Sequence, residues 1–323
     1  MTDLEDLLLR TSRTFALSIP RLPEPLRREV TLAYLLFRIA DTFEDATHWP
    51  KERRLNALSD FRRLVEASGR GGGDDLLAEA RDLADSWTAG EPPIEHDGYL
   101  DLLAATPAVL DAHRSLGAEG RAIVARHTGR TAAGMAEFVE RHDASGHLAL
   151  RDLDELRRYC YVVAGIVGEL LTGLFLEAEP GLAPFAGPLR SRAARFGEAL
   201  QLVNILKDSA ADARAGRRYL PAEVDPATVF GLARRDLAVA GEYVGLLQEG
   251  NAPPGVVAFT ALPVELAWRT LARVEAEGPG AKLTRDEVAE AVEALERRLA
   301  TGEPAVPADR GVGPTVAQEL PSS

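Results

Sequence analysis

Tyr34-Leu35-Leu36-Phe37-Arg38-Ile39-Ala40-Asp41-Thr42-Phe43-Glu44-Asp45 decides how this chain is read. Tyr34, Arg38, Asp41 and Asp45 recur at i, i+4, i+7 and i+11, the spacing of one helix face. A second stretch repeats the plan. In Gln201-Leu202-Val203-Asn204-Ile205-Leu206-Lys207-Asp208-Ser209-Ala210-Ala211-Asp212, residues Gln201, Asn204, Asp208 and Asp212 recur at i, i+3, i+7 and i+11. At about 100° per residue, eleven steps return a side chain to within roughly 20° of its starting direction. Each helix therefore carries a row of oxygen and nitrogen ligands, closed by two Asp four residues apart. Rows that face each other make a cage for hard cations and a polyanion. A lone D-x-x-x-D on a helix is ordinarily a solvated face. Two of them, each extended upstream on the same stripe, are harder to obtain by chance.

Around these rows nearly every long segment has helical period. Leu26, Val30, Ala33, Phe37 and Ala40 form an apolar stripe one residue before the first polar row, so that row borders a buried face. Pro23-Glu24-Pro25 opens this helix, and Trp49-Pro50 opens the next, Lys51 to about Ala67. Further helices are predicted over 74–88, 96–115, 118–142, 152–177, 187–213, 226–249, 254–277 and 284–301, with Pro107 interrupting the fourth segment. Ser68 to Gly73 is a loop without phosphate-loop spacing. No long alternating run argues for a strand, and no linker halves the chain. The expectation is an all-α single domain over residues 1–300. A turn-rich tail of disordered composition follows over 301–323.

Composition narrows the function. Apolar residues make up 46%, enough for a large core, and the formal net charge of −13 without a basic stripe argues against a nucleic-acid partner. Cys160 is the single cysteine, which suits a reducing compartment. The acidic start, Met1-Thr2-Asp3-Leu4-Glu5-Asp6, lacks the pattern of a signal peptide. Tyr161 to Leu176 is apolar but short for a bilayer span, and reads as a buried helix. A cytoplasmic protein, peripheral to membrane at most, is expected.

The rows permit one chemistry in particular. Mg²⁺ takes oxygen ligands and is commonly held by one or two carboxylates plus substrate phosphate oxygens. Arg38, Lys207, Arg214, Arg217 and Arg218 can complete a charge clamp on a diphosphate. No nucleophile–base constellation and no H-E-x-x-H or C-x-x-C is present. A metal–diphosphate site without a nucleophile points to departure of diphosphate and formation of a carbocation. Gly165 and Gly168, inside an apolar helix, each cost about 1 kcal/mol against Ala. Close helix packing explains them, and so does room for a long lipid chain. The six histidines are scattered without metal spacing, and Arg53-Arg54 reads as a solvent-facing pair.

At this point the chain resembles the squalene/phytoene synthase family over roughly residues 10 to 290. Four blocks carry the resemblance: Ser12-Arg13-Thr14-Phe15; Tyr34 through Asp45; Tyr159-Cys160-Tyr161-Val162-Val163-Ala164-Gly165-Ile166-Val167-Gly168; and Gln201 through Asp212 with Gly216-Arg217-Arg218-Tyr219-Leu220-Pro221. The resemblance implies a class I isoprenoid synthase helical bundle around a central apolar cavity. It implies Mg²⁺ at Asp41, Asp45, Asn204, Asp208 and Asp212. Diphosphates would fall to Ser12, Arg13, Tyr34, Arg38, Gln201, Asn204, Lys207 and Arg217, with Ser12, Arg13 and Phe15 beside a flap. Tyr159 matches a tyrosine of proton handling and cation steering. The implied reaction joins two identical prenyl diphosphates through a cyclopropyl intermediate.

Asp41-Thr42-Phe43-Glu44-Asp45 and Phe259-Thr260-Ala261-Leu262-Pro263 resemble the squalene synthase forms, which favours farnesyl diphosphate as substrate and NADPH as reductant. The NADPH-linked segment is matched in part: Lys282-Leu283-Thr284-Arg285 has Thr where the family has Arg. With Asn204, Lys282 and Arg285 are the cofactor-binding candidates. Lys207 stands where Arg is usual and loses the bidentate fork. Ala211 replaces a Glu, so weaker or rearranged metal binding is expected there. Phytoene or dehydrosqualene formation, arrest at presqualene diphosphate, a silent lipid-binding homologue and a terpene cyclase are the alternatives. The cyclase would want a second motif that 201–212 does not match.

Overall fold

The computed structural model describes residues 4–12, 15–143 and 145–307. Fourteen stretches of α-helix follow one another among them: α1 (Leu4–Thr11), α2 (Phe15–Ser18), α3 (Leu26–Asp45), α4 (Lys51–Gly69), α5 (Asp74–Thr88), α6 (Asp97–Ala104), α7 (Thr106–Arg114), α8 (Ala118–Glu140), α9 (Leu153–Cys160), α10 (Ile166–Ala178), α11 (Ala186–Arg214), α12 (Pro226–Glu249), α13 (Pro254–Glu277) and α14 (Arg285–Thr301). The all-α reading is right. α3 buries Leu26, Val30, Ala33, Phe37 and Ala40, the stripe seen in the sequence. The segment expected over 96–115 breaks at Ala105, and Pro107 lies at the start of α7, where its missing N–H costs nothing.

α9 and α10 join through a π-helical turn, Tyr161–Gly165, into one helical run of 26 residues, Leu153–Ala178. That run, and Pro254–Glu277, are long and apolar enough to cross a membrane by length and composition. The shorter reading of the first, from Tyr161 to Leu176, understated it. In the fold, 61% and 67% of their most apolar windows are buried inside the protein. They serve here as core helices.

The two helices that carry the glycine-rich block and the second polar row cross closely. A Cβ on Gly168 would meet the Ala193 carbonyl oxygen at 1.9 Å, and one on Gly197 would meet that of Ala164 at 1.9 Å. Backbone packs on backbone there, and the same crossing leaves Val163, Ala164, Val167 and Gly168 along a cavity wall. Close helix packing is therefore the explanation that holds at Gly168.

Two features were passed over in the sequence. α1 packs on α3 and α6; its acidic first turn, its basic last turn and the spacing of Leu4, Leu7 and Leu8 are helix signals. Leu148–Ala149 pairs in parallel with Arg217–Arg218, in register Leu148 with Arg217. Two-residue strands carry no readable period. The packed chain also runs past Thr301: Ala305 is buried, and its N–H donates to Gln248 Oε1 at 2.9 Å.

Candidate active site

α3 and α11 bring their polar rows to one cleft. Asp41, Glu44 and Asp45 of α3 line it with Gln201, Asn204, Lys207, Asp208 and Asp212 of α11, and Arg38, Tyr159 and Arg217 complete it. The rows do face each other. Arg217 donates to Asp45 Oδ1 through Nη1, and its Nη2 lies 3.6 Å from Asp212 Oδ1. One guanidinium thus spans the two acidic pairs. Its backbone is held by the short strand pairing, since Leu148 N–H donates to Gly216 O at 3.1 Å and Leu150 N–H to Arg218 O at 3.0 Å.

Arg38, at the other end, stays on the first row. It donates from Nη1 to Asp41 Oδ2 at 2.6 Å and from Nη2 to the Tyr99 hydroxyl. Lys207 Nζ lies 3.2 Å from Asp208 Oδ2. The Nε of Arg38 and of Arg217 is buried without a hydrogen-bond partner. Both guanidinium groups thus keep donor capacity in reserve at an acidic cleft.

The cleft is crowded with negative charge. Burial, then repulsion from Asp45 and Asp41, pushes the Glu44 carboxyl up to about 8. Burial raises Asp41 against the pull of Arg38, and raises Asp212 against the pull of Arg217. Carboxyls held above their ordinary range mark a place where added cations lower the energy. Among the described residues no three His, Cys, Asp or Glu side chains are gathered into a ready ion site. Arg38 and Arg217 stand between them. The donors are hard oxygens of the kind Mg²⁺ takes, so the residues fit ions that share their coordination with substrate phosphates.

Next to this cleft lies an apolar cavity of about 700 Å³. It shares Arg38, Asp41, Val163, Gln201 and Asn204 with the cleft. Val30, Ala33 and Phe37 of α3, Leu170 and Leu171 of α10, Phe196 and Leu200 of α11, and Phe259 and Pro263 of α13 line its walls. Leu9 and Thr11 of α1, Ser12 just after it and Phe15 of α2 border it on the N-terminal side. Ordinary ligand pockets run from about 300 to 1,000 Å³, so this one has the size of a ligand pocket and largely apolar walls.

Tyr159 is a wall residue of the cleft. Its hydroxyl donates to the Tyr219 hydroxyl at 3.0 Å and lies 3.4 Å from Glu44 Oε1, and its ring stacks on Tyr219 with centroids 4.5 Å apart. Burial raises its phenol well above the usual range, so it stays protonated.

Several expected residues have other tasks here. The Tyr34 hydroxyl donates to Thr11 O at 2.7 Å, which ties α1 down over the cavity. Ser12 Oγ accepts from the N–H of Phe15 at 3.0 Å and of Ala16 at 3.3 Å, capping α2. Arg13 lies outside the described residues. Arg214 and Arg218 are exposed and line neither space. Lys282 and Arg285 are exposed and line neither space, though Gly280 N–H donates to Lys207 O at 2.7 Å and anchors the loop of Lys282 to the second row. The solvent-facing reading of Arg54 was wrong. It is 1% exposed and donates to the carbonyls of Phe43, at 3.3 Å, and Glu44. A cation on the last carbonyls of α3 opposes the helix dipole and fixes the end that bears Glu44 and Asp45.

Sequence reasoning passed over Glu44, Tyr219 and Tyr99 as site residues. Glu44 and Tyr219 sit inside quoted motifs and were findable. Tyr99 sits in no motif; only the fold brings it to Arg38.

Comparison with known proteins decides the lineage. A family model described as squalene/phytoene synthase matches residues 8–238. The chain belongs to the squalene/phytoene synthase family. Squalene synthase of Schizosaccharomyces pombe is 30% identical over 222 residues, 68% of this chain and 43% of that protein. Squalene synthase of Homo sapiens is 30% identical over 217 residues, 67% of this chain and 45% of that protein. The chain spans under half the length of these curated relatives. A solved structure, "The complex structure of TcSQS with ligand, E5700", superposes with a TM-score of 0.73 at 24% identity, covering 95% of this chain and 92% of that one. It shares the fold of this family member, an all-α isoprenoid synthase.

Proposed function

We propose that this protein joins two farnesyl diphosphates head to head through presqualene diphosphate, and reduces the product to squalene. The observation that carries the reading is the meeting of two opposed Asp rows with a deep apolar cavity through a shared wall. Diphosphate and hydrocarbon ends of one substrate find matching surroundings there. Names of the relatives support the same chemistry, and the Asp41-Thr42-Phe43-Glu44-Asp45 form supports the C15 chain.

Arg38, Lys207 and Arg217 bind and orient the diphosphates, with Gln201 and Asn204 beside them. Their charges make diphosphate a better leaving group, because its developing charge is met by groups already in place. Mg²⁺, held by Asp41, Asp45, Asn204, Asp208 and Asp212, would add Lewis-acid neutralisation of the same charge. In the first step a C–O bond breaks and its electron pair leaves with diphosphate. The π electrons of the second chain form the new C–C bond, and loss of one proton closes the cyclopropane. Tyr159, with Tyr219 and Glu44 behind it, is placed to pass that proton on. The apolar walls exclude water, which would otherwise capture the cation. NADPH would supply the hydride that ends the second step, after the second diphosphate has left. Lys282, on the loop anchored at Lys207, and Arg285, at the start of α14, fit a dinucleotide phosphate by charge.

A non-reductive outcome is the second reading, and one observation favours it. Thr284 is spent on the capping box of α14 with Glu287, so the segment offers two cations instead of a continuous basic run. Purified protein incubated with farnesyl diphosphate and Mg²⁺, with and without NADPH, separates the readings by mass analysis of the lipids. Squalene formed only with NADPH supports reduction. Presqualene diphosphate or dehydrosqualene in both arms assigns the non-reductive branch. Asp41→Ala or Asp208→Ala should abolish turnover with helicity intact; an active, folded variant would sink the metal role.

A further inference from the structure

α13 forms one wall of the apolar cavity and has a proline in its interior. Pro263 is buried and lines the cavity together with Phe259, four residues before it. A proline has no N–H, so the carbonyl four residues back loses its helical donor, and the ring presses against that same carbonyl. In α13 that carbonyl belongs to Phe259. A helix carbonyl points along the axis toward residue i+4, and residues i and i+4 share one face. Here that face is the one Phe259 and Pro263 present to the cavity. The Phe259 carbonyl therefore lacks its i+4 donor on the helix face that borders the cavity. A proline at this depth weakens the helix and strands a polar group among apolar ones. Pro254 of the same helix sits in the first turn, where neither cost arises.

The chemistry of the cavity supplies a reason to keep it. We propose that the Phe259 carbonyl, freed by Pro263, is an electrostatic ligand for the positive charge on the prenyl chain after diphosphate departs. The inference rests on the prenyl-joining reaction proposed above. When the C–O bond breaks, its electron pair leaves with diphosphate and the allylic carbon is left electron-poor. That charge persists until the second chain's π electrons form the new bond and a proton is lost. A carboxylate at this depth would capture the cation as an ester. A carbonyl dipole attracts it while its own electrons stay in the amide. The Phe259 ring lies in the same wall, 6.3 Å from Phe175 and 6.5 Å from Phe15 between centroids. Aromatic faces add a second attraction of the same sign.

The test restores the missing donor. Pro263→Ala and Pro263→Val each return an N–H to the helix, and Val keeps the three side-chain carbons of Pro. Both are compared with the wild type for kcat, KM, melting temperature and amide exchange at position 263. The expected result is a kcat lowered roughly ten- to a hundredfold, on the scale of losing one preorganised dipole at a reacting charge. KM stays unchanged, the melting temperature is equal or higher, and the new amide proton is protected because it bonds the Phe259 carbonyl. Wild-type kcat in both variants overturns the proposal. So does a fall in kcat that comes only with a raised KM and a lowered melting temperature, which assigns Pro263 to bending the helix. A wild type that turns over no prenyl diphosphate removes the reaction itself, and this role with it.

Discussion

Arg217 is the point at which the cleft can be loaded or unloaded with charge. Replacing it by Gln removes the guanidinium that touches Asp45 and lies 3.6 Å from Asp212. At an effective dielectric near 20, one unit-charge pair at this separation is worth about 4 kcal/mol gross. Asp45 is 42% exposed at its side chain, so its share is heavily screened, and Asp212, at 18%, carries most of the effect. The loss of desolvation cost on removing Arg217 offsets part of the remainder. A net destabilisation of about 1–3 kcal/mol is expected without divalent ions. For a chain of this size that is roughly 2 °C per kcal/mol in melting temperature, or a fall of about 2–6 °C. The assay is thermal melting of wild type and Arg217→Gln in EDTA and in Mg²⁺. Mg²⁺ should raise the melting temperature of the variant more than that of the wild type, because it neutralises carboxylates that Arg217 no longer covers. Equal melting in EDTA, with equal response to Mg²⁺, would refute the claim that Arg217 is the charge between the rows.

Two further outcomes follow from the structure. From Glu44, Glu29, His113 and His142 together, stability without ligand should be level between about pH 4.5 and 6.5 and fall above 6.5, and circular-dichroism melts from pH 4.5 to 8.5 check it. Glu44 and Glu29 are raised, chiefly by burial, to about 8 and about 7. Raised carboxyls stabilise the fold below their unfolded value of 4.5, and that stability is lost as pH climbs through the folded values. His113 and His142, lowered by burial to about 4 from 6.5, act oppositely and are lost as pH falls below 6.5. Glu44→Gln should flatten the alkaline limb; an unchanged limb would show that this carboxyl is not protonated in the fold. Gly197→Ala should cost roughly 3 kcal/mol or more, since its Cβ would sit 1.9 Å from a backbone oxygen that only a shift of the helix can relieve. Denaturant titration reads the loss, and a variant as stable as the wild type would contradict the close crossing of α10 and α11.

The parts legible in the sequence were those that one helix can announce alone. Tyr34 to Asp45 and Gln201 to Asp212 each declare a face through spacing, so their opposition across a cleft was a short step. Pro107 declared a break for the same local reason. What escaped is non-local. Arg54 beside Arg53 looks like a solvated pair, and only the approach of α4 to the end of α3 buries it on the Phe43 and Glu44 carbonyls. Tyr99 reaches Arg38 from 61 residues away. Tyr34 was expected on the diphosphate, but α1 captures its hydroxyl at Thr11. In each case a polar group took the partner that folding brought nearest.

The same non-local logic explains why charge and apolar space must share a wall. Arg38 and Asp41 border both the cleft and the cavity. On the proposed function, a prenyl diphosphate bound with its phosphates among Arg38, Lys207 and Arg217 would have its first carbon at that wall and its chain in the apolar cavity. Bond breaking there would separate an anion, held in the charged cleft, from a cation facing apolar and aromatic walls. Recombination would then be opposed by position, with the cation toward Phe259 and its neighbours. The separation depends on the placement of α3 opposite α11, which Arg217 spans, while the glycine crossing fixes α11 against the helical run that lines the cavity. A mutation that loosens the crossing at Gly168 or Gly197 should therefore lower turnover even where the cleft residues remain intact.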